Sequence, residues 1–282
     1  MASVTPTQKD APATTGDDQA FQPRARSSYL ISQVSALSGV IGLLVGAAIW
    51  QLLAIVWDVT FFPTVTAVVV RLYEMLIDGL LVINLLASLQ NLFVGFAIAA
   101  TVGVGVGMLM GVYPKVEAAL DIYVNVFLTA PALIFAPIFF SFFGLSQLSI
   151  IALVIMYSMF IIIINTFTAI RSVPRELIEM GVSYNAKSRH LFFKIVLPYA
   201  MPFIMAGLRL GVGRAVKGMV NGEMFIAVVG IGAMIMAAGR RFDAESVLAI
   251  LLLIIIVASV AVKIVQVIDK RLTSWLPETA RS

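Results

Sequence analysis

The 282-residue chain is 61% hydrophobic and only 12% charged, with a mean hydropathy of +1.02, a net charge of +4 and no cysteine. Soluble domains are about half apolar and about a quarter charged. This composition excludes an ordinary soluble enzyme, a disulfide-stapled secreted domain and a thiolate metal site. The pI near 9.4 does not point to nucleic acid, because the 19 basic residues alternate with long apolar runs, as in the loops of a polytopic membrane protein.

Residues 1–28 mix Pro, Thr, Ala, Asp and Gln without periodicity and read as a disordered cytoplasmic tail, with no cleavable signal. Three stretches then lack any charged side chain: Ser27 to Trp57 (31 residues), Gly79 to Pro114 (36) and Ile122 to Ile170 (49). A spanning helix needs about 20 apolar residues, so the third stretch holds two spans. The break falls in its polar, Gly-containing patch Phe143-Gly144-Leu145-Ser146-Gln147. The expected fold is all-α, with six transmembrane helices near 36–57, 84–112, 120–143, 147–169, 199–235 and 246–268. The membrane domain occupies 29–275, with a polar cytoplasmic loop at 171–198, and residues 276–282 form a cytoplasmic C-terminal tail. Span five is too long for one straight crossing and is expected to bend, tilt or leave the membrane. Pro131 and Pro137 are expected to break span three; nearby Phe135, Phe139 and Phe140 fit either a solute surface or plain packing.

With six spans, thirteen cations gather on the side of the termini and three, Arg71, Arg240 and Arg241, on the other. The positive-inside rule then places both termini in the cytoplasm.

The loop from Arg171 to Ala200 reads RSVPRELIEMGVSYNAKSRHLFFKIVLPYA. Pro174 suits a first helical turn, and Glu176 and Glu179 suit its positive dipole end. The helix should stop near Asn185, since Asn tolerates the left-handed conformation. A second helix follows, with Leu191, Phe192, Ile195 and Val196 apolar and Lys187, Arg189 and Lys194 polar; Pro198 and Pro202 lead into span five. Such a helix–turn–helix elbow is a docking surface rather than a catalytic one.

This segment resembles the EAA loop of bacterial ABC-importer permeases. Glu179-Met180-Gly181 stands at the Glu-Ala-Ala triplet, Asn185 at its following Gly, and Ile195-Val196-Leu197-Pro198 at the Ile/Val-x-Leu-Pro ending, 19 residues on from Glu179. The resemblance runs from about residue 50 to 275. It includes Phe62-Pro63-Thr64, the segment Ser88 to Phe96, Pro131-Ala132-Leu133, Gly207-Leu208-Arg209-Leu210 and Gly222-Glu223-Met224-Phe225. Together these look like the taurine/nitrate/sulfonate-type branch of the type I import permeases. The resemblance implies a transport subunit of the bacterial inner membrane, without catalysis or cofactor of its own. It implies an ATPase-coupling surface at Glu179, Met180, Gly181, Ser183, Tyr184, Asn185, Ala186 and Lys187, with Pro198 structural. It also implies a cytoplasmic ABC ATPase dimer binding ATP and Mg, a second permease chain forming a homodimer, and a periplasmic or lipid-anchored solute-binding protein. The chain carries no G-x-x-x-x-G-K-[S/T] phosphate loop.

Span five holds Arg209, Arg214, Lys217, Asn221 and Glu223. At about 100° per residue, Arg214, Lys217 and Asn221 share one stripe, while Arg209 and Glu223 lie on another face, about 21 Å apart. A cation at the bilayer centre costs about 2.5–3.5 kcal/mol even on the lenient insertion scale. These side chains therefore face protein, water or solute. One reading gives Arg214, Lys217, Asn221 and Glu223 to an anion's translocation path; the other has the cations satisfying helix carbonyls or pairing with Glu223 of a second subunit. Arg209 reads as structural or as half of an ion pair near the cytoplasmic end. Gly103, Gly107 and Gly111 repeat at four-residue spacing, as do Gly207 and Gly211, and Gly218 and Gly222, a pattern that lets membrane helices approach closely. His190, the lone histidine, has no partners for catalysis or metal binding. The expected solute is a small sulfonate, nitrate or carboxylate anion. The alternatives are an ABC permease for a neutral or cationic vitamin precursor, and an ion-coupled secondary transporter. The latter would normally show an internal repeat and carboxylates buried in the spans.

Overall fold

The computed structural model describes residues 26–57, 59, 61–226 and 228–273, all of whose regular structure is helical. The expected tails, 1–28 and 276–282, fall outside these residues, except that Arg26 already opens the first helix. In chain order the α-helices are α1 (Arg26–Trp57), α2 (Val65–Ile77), α3 (Leu80–Val112), α4 (Pro114–Thr129), α5 (Ala136–Phe143), α6 (Gln147–Arg171), α7 (Arg175–Ser183), α8 (Ser188–Leu191), α9 (Leu197–Ile226), α10 (Ile231–Arg240) and α11 (Ala244–Leu272). A 3₁₀ turn, Ala132–Phe135, precedes α5, and a π-helical turn, Phe192–Val196, joins α8 to α9. Residues 1–50 and 51–282 form separate compact units. The helix layer, its ion pairs and the loop between α6 and α9 all belong to the second unit.

Local chemistry sets the boundaries. Thr64 caps α2, its hydroxyl accepting from the Ala67 N–H (3.2 Å), and Asp243 caps α11 by accepting from the Ser246 N–H (2.9 Å). Pro114 opens α4 with Glu117 in its first turn, and Lys270 and Arg271 close α11, both suited to the helix dipole. Gly144, at φ +70°, separates α5 from α6 within the patch where the sequence places the break.

Among the described residues, four helical segments are long and apolar enough to cross a membrane: α3, α6, the continuous Ser188–Ile226 segment and α11. The stretch from α4 through α5 adds a fifth, bent by 98°. Of the expected first span, the described apolar part Ile41–Trp57 is shorter than a crossing. Among the described residues, four to five of the expected six spans are thus present. Span three bends at Ala130-Pro131, before the 3₁₀ turn. Pro137 breaks nothing, because it sits in the first turn of α5, where a missing N–H costs no hydrogen bond. Span five ends at Ile226 rather than at 235: Gly230 adopts φ +102°, and α10 is a separate short helix. Uninterrupted apolar sequence there does not mean uninterrupted helix.

The core is a three-helix layer with α6 between α3 and α9. Glycines on both outer helices turn toward α6. Cβ atoms on Gly103 and Gly107 would lie 2.9 Å from Ile162 Cγ2 and 2.6 Å from Thr166 Cβ; on Gly207 and Gly211, they would lie 2.6 Å from Asn165 Cβ and 2.7 Å from Ile162 Cγ1. Leu92, Ile150, Val154, Ala215, Val216 and Met219 fill one end of the layer, and Ala169, Ile170, Ala200 and Ile204 the other. Ion pairs close both ends. Arg171 at the end of α6 meets Glu117 on α4, and Arg209 meets Asp269 on α11 (2.8 Å). At the opposite end Arg71 Nε donates to Ser246 Oγ (2.9 Å), and its guanidinium stands 3.8 Å from Asp243. Partial burial pushes the Asp243 carboxyl up, but hydrogen bonds from Ser246 and the nearby Arg71 and Arg241 outweigh it and hold the group below its ordinary range. Outward, Phe93 and Ile255 are 75% and 62% exposed, large apolar side chains suited to lipid or a partner surface.

The glycine contacts predict a contrast. Gly107→Ala should destabilise the folded protein by about 1–3 kcal/mol, because its Cβ would press on the Ile163 carbonyl as well as on Thr166. Gly105→Ala, with open space around its Cβ position, should leave the thermal midpoint in detergent unchanged or raised. Equal midpoints for the two variants would contradict the packing.

Candidate functional site

The loop between α6 and α9 begins with Pro174 as the N-cap of α7 and Glu176 in its first turn. The helix stops where Asn185 takes φ +56°. There the Asn185 N–H donates to the Val182 carbonyl (2.8 Å) and the Ala186 N–H to the Gly181 carbonyl (3.1 Å). Asparagine thus fills the left-handed position usual for glycine at a helix C-terminus.

Past this turn the backbone enters α8 with Leu191, Phe192, Ile195 and Val196 half-buried and Lys187, Arg189 and Lys194 exposed. Gly181 is buried: a Cβ on it would run into Leu191 and lie 2.8 Å from Ile195 Cδ1. The elbow's two arms therefore touch through a glycine. The expected coupling residues divide accordingly. Gly181 faces inward and seats α7, and Ala186 is half-buried. Glu179, Met180, Ser183, Tyr184, Asn185 and Lys187 are exposed, Tyr184 at 83%. A methionine and a tyrosine presented beside a carboxylate and an ammonium suit a protein-docking face.

The second arm is continuous with α9. Proline lacks an N–H and its ring crowds the carbonyl four residues back. Immediately before Pro198 the helix widens into the π turn, with the Leu197 N–H donating to the Phe192 carbonyl. Pro198 and Pro202 lie within the helical segment Ser188–Ile226 rather than before it.

Along α9 the polar residues separate by face. Arg209 pairs with Asp269 and binds α9 to α11. Arg214 and Lys217 are exposed and have no ion-pair partner among the described residues. Asn221, half-buried, donates from Nδ2 to the Tyr157 hydroxyl of α6 (2.8 Å). Glu223 is fully buried, away from this stripe. Its Oε2 accepts from Ser88 Oγ on α3 (2.8 Å) and from the Gly232 N–H of α10 (3.1 Å). The structure brings Arg214, Lys217 and Asn221 onto one stripe and sets Glu223 apart from them. Sequence reasoning missed Ser88 and Asn84 as its companions. Their signal is faint: polar residues one turn apart in an otherwise apolar helix.

A family model described as the binding-protein-dependent transport system inner membrane component matches residues 102–274. The putative aliphatic sulfonates transport permease SsuC of Bacillus subtilis is 31% identical over 81% of this chain and 83% of its own. The nitrate import permease NrtB of Leptolyngbya laminosa is 30% identical over 81% and 86%. Among solved structures, the inward-facing MetNI methionine ABC transporter aligns with a TM-score of 0.61 and 20% identity, over 69% of this chain and 97% of that one, and shares the fold. With residues 102–274 matched and these relatives at 30–31% identity, this chain is a member of the binding-protein-dependent inner-membrane transport components, in the taurine/nitrate/sulfonate-type branch of the ABC-importer permeases.

Proposed function

We propose that this chain is the membrane half of an ATP-driven importer for a small anion of the sulfonate, nitrate or carboxylate class. The observation that carries the reading is the exposed Arg214 and Lys217, without an ion-pair partner among the described residues, on a helix of transmembrane length. Two cations on such a helix need water, a partner or an anionic solute. A second copy of the chain, apposed along this stripe, would enclose them in a common path, with Asn221 as a neutral hydrogen-bonding neighbour. Glu223 supports the stripe from behind. The relatives named for aliphatic sulfonates and nitrate support the solute class. The two cations weigh against a cationic vitamin precursor, and membership of this family weighs against an ion-coupled secondary transporter.

Energy comes from a separate cytoplasmic ATPase dimer that binds ATP and Mg and docks on the exposed face of α7 around Glu179, Met180, Tyr184 and Lys187. A periplasmic or lipid-anchored binding protein delivers the solute at the opposite end. The chain lies in the bacterial inner membrane with both termini cytoplasmic. α1 and the bent α4–α5 unit complete six spans. In this arrangement the Arg171–Glu117 pair lies on the ATPase side and the Arg71–Asp243 pair on the solute-delivery side.

Two variants separate the two surfaces. Glu179→Arg should insert and assemble normally but lose stimulation of the partner ATPase by about tenfold or more, as expected for a reversed charge at an interface. Undiminished stimulation and uptake by a well-expressed variant would remove the docking assignment. Lys217→Met should lower anion uptake by about tenfold at low ionic strength, with a smaller deficit in high salt. Uptake kinetics identical to wild type at both salt concentrations would remove Lys217 from the path.

A further inference from the structure

Glu223 poses a separate problem of charge. It is 0% exposed, and so is Ser88 beside it. Three successive N–H groups at the start of α10 are met by this cluster. Gly230 N–H donates to Asn84 Oδ1 (2.9 Å), Ile231 N–H to Ser88 Oγ (2.9 Å) and Gly232 N–H to Glu223 Oε2 (3.1 Å). The Ser88 hydroxyl in turn donates to the same Oε2 (2.8 Å). Gly230 and Gly232 are glycines for a visible reason. A Cβ on Gly230 would run into the Glu223 carboxyl, and one on Gly232 would lie 2.6 Å from the Val220 carbonyl.

The second carboxyl oxygen is different. Oε1 is buried with no hydrogen-bond partner, and so is Oδ1 of Asn91, which lies one turn beyond Ser88 on α3 and faces the same carboxyl. The Asn91 side chain is within hydrogen-bonding reach of the carboxyl, so a proton on Oε1 would turn one of these two acceptors into a donor. Among the described residues, no cation pairs with Glu223 to neutralise an ionised group instead. α3 carries no charged residue, and α6 carries none before Arg171 at its far end. Arg240 and Arg241 stand at the other end of α10, nine and ten residues from Ile231. On α9 itself, Lys217 and Arg214 lie about 120° and 180° around the helix from Glu223. Of the four ion pairs among the described residues, none includes Glu223. Burying a carboxylate in such surroundings is costly, and a proton removes the charge.

We propose that Glu223 is a positioning residue that works as a neutral carboxylic acid. Its carbonyl oxygen, Oε2, accepts from Ser88 and Gly232; its hydroxyl, on Oε1, donates to Asn91 Oδ1. This arrangement gives both stranded oxygens a partner with one proton and no ion. It ties α3, α9 and the start of α10 together, and so fixes the short helix that leads into the Arg71–Asp243–Ser246 contact at the head of α11. Glu223 holds this role whichever solute is carried.

The test uses the full chain assembled with its ATPase. Glu223→Gln keeps the shape and replaces the hydroxyl donor with an amide donor, so transport should stay within about twofold of wild type. Glu223→Ala and Ser88→Ala should each lose about tenfold or more, the effect of stranding buried hydrogen-bonding groups. Infrared spectra of the wild-type protein at neutral pH should show the carbonyl stretch of a protonated acid, shifted by ¹³C-labelled glutamate and missing from Glu223→Gln. An absent band overturns the proposal whatever the variants do. Failure of Glu223→Gln to the level of Glu223→Ala in a folded protein overturns it equally, because it would show that the negative charge is what matters. If Glu223→Gln does not fold, the glutamate-specific band in the wild type decides alone.

Discussion

Close contact of α6 with both α3 and α9 is the constraint on which the remaining geometry rests. Lipid offers no hydrophobic drive for one apolar helix to leave it for another, so association depends on packing and on hydrogen bonds. Glycine at every fourth position removes the side chains that would hold the axes apart, and the β-branched Ile162 and Thr166 and the Cβ of Asn165 on α6 enter the space left. One face of each outer helix is committed to this contact. The remaining faces of α9 are then free to carry groups that packing would not tolerate: Arg214 and Lys217 on one side, Glu223 on another.

Most polar groups in the layer answer one requirement, that groups capable of hydrogen bonding find a partner away from water; Thr166 Oγ1, Asn91 Oδ1 and Glu223 Oε1 are buried atoms left without one. Ser158 and Asn165 return their donors to carbonyls four residues back, Val154 and Ile161. Asn221 reaches Tyr157, and Arg209 reaches Asp269. Glu223 takes up the opening N–H groups of α10 together with Ser88 and Asn84. Helix starts normally meet this need with a local cap. Here the caps come from two other helices, which is why α10 begins where it does.

That nonlocality explains what the sequence could and could not disclose. The glycine stripes were legible because a four-residue period is a property of one helix. So were two boundaries in the loop: Pro174 at the start of α7 and the turn at Asn185 are local signals at which the helix begins and ends. The end of α9 at Ile226 was not legible, because the apolar composition continues and the break is set by Gly230 meeting the Glu223 carboxyl. Gly181 was read as a member of the exposed docking set, yet its role is to admit Leu191 and Ile195, side chains ten and fourteen positions away. Pro131 and Pro137 look equivalent in sequence; one falls at a bend and the other inside a first turn, where proline is harmless.

The elbow and the α9 stripe are, moreover, parts of one mechanical object. Ser188–Ile226 is a continuous 39-residue helical segment, about 60 Å long at the usual rise per residue. It carries Leu191 and Ile195 against α7 near one end and Arg214 and Lys217 farther along. The two prolines do not interrupt it, because the π turn at Phe192–Val196 accommodates Pro198. α7 is held to this segment by a glycine contact too close to slide without repacking, and α9 is held to α6 by the same kind of contact. α7 and α9 are thereby tied into one packed unit rather than joined by a slack loop. Interfaces of this closeness move between discrete packings instead of deforming smoothly.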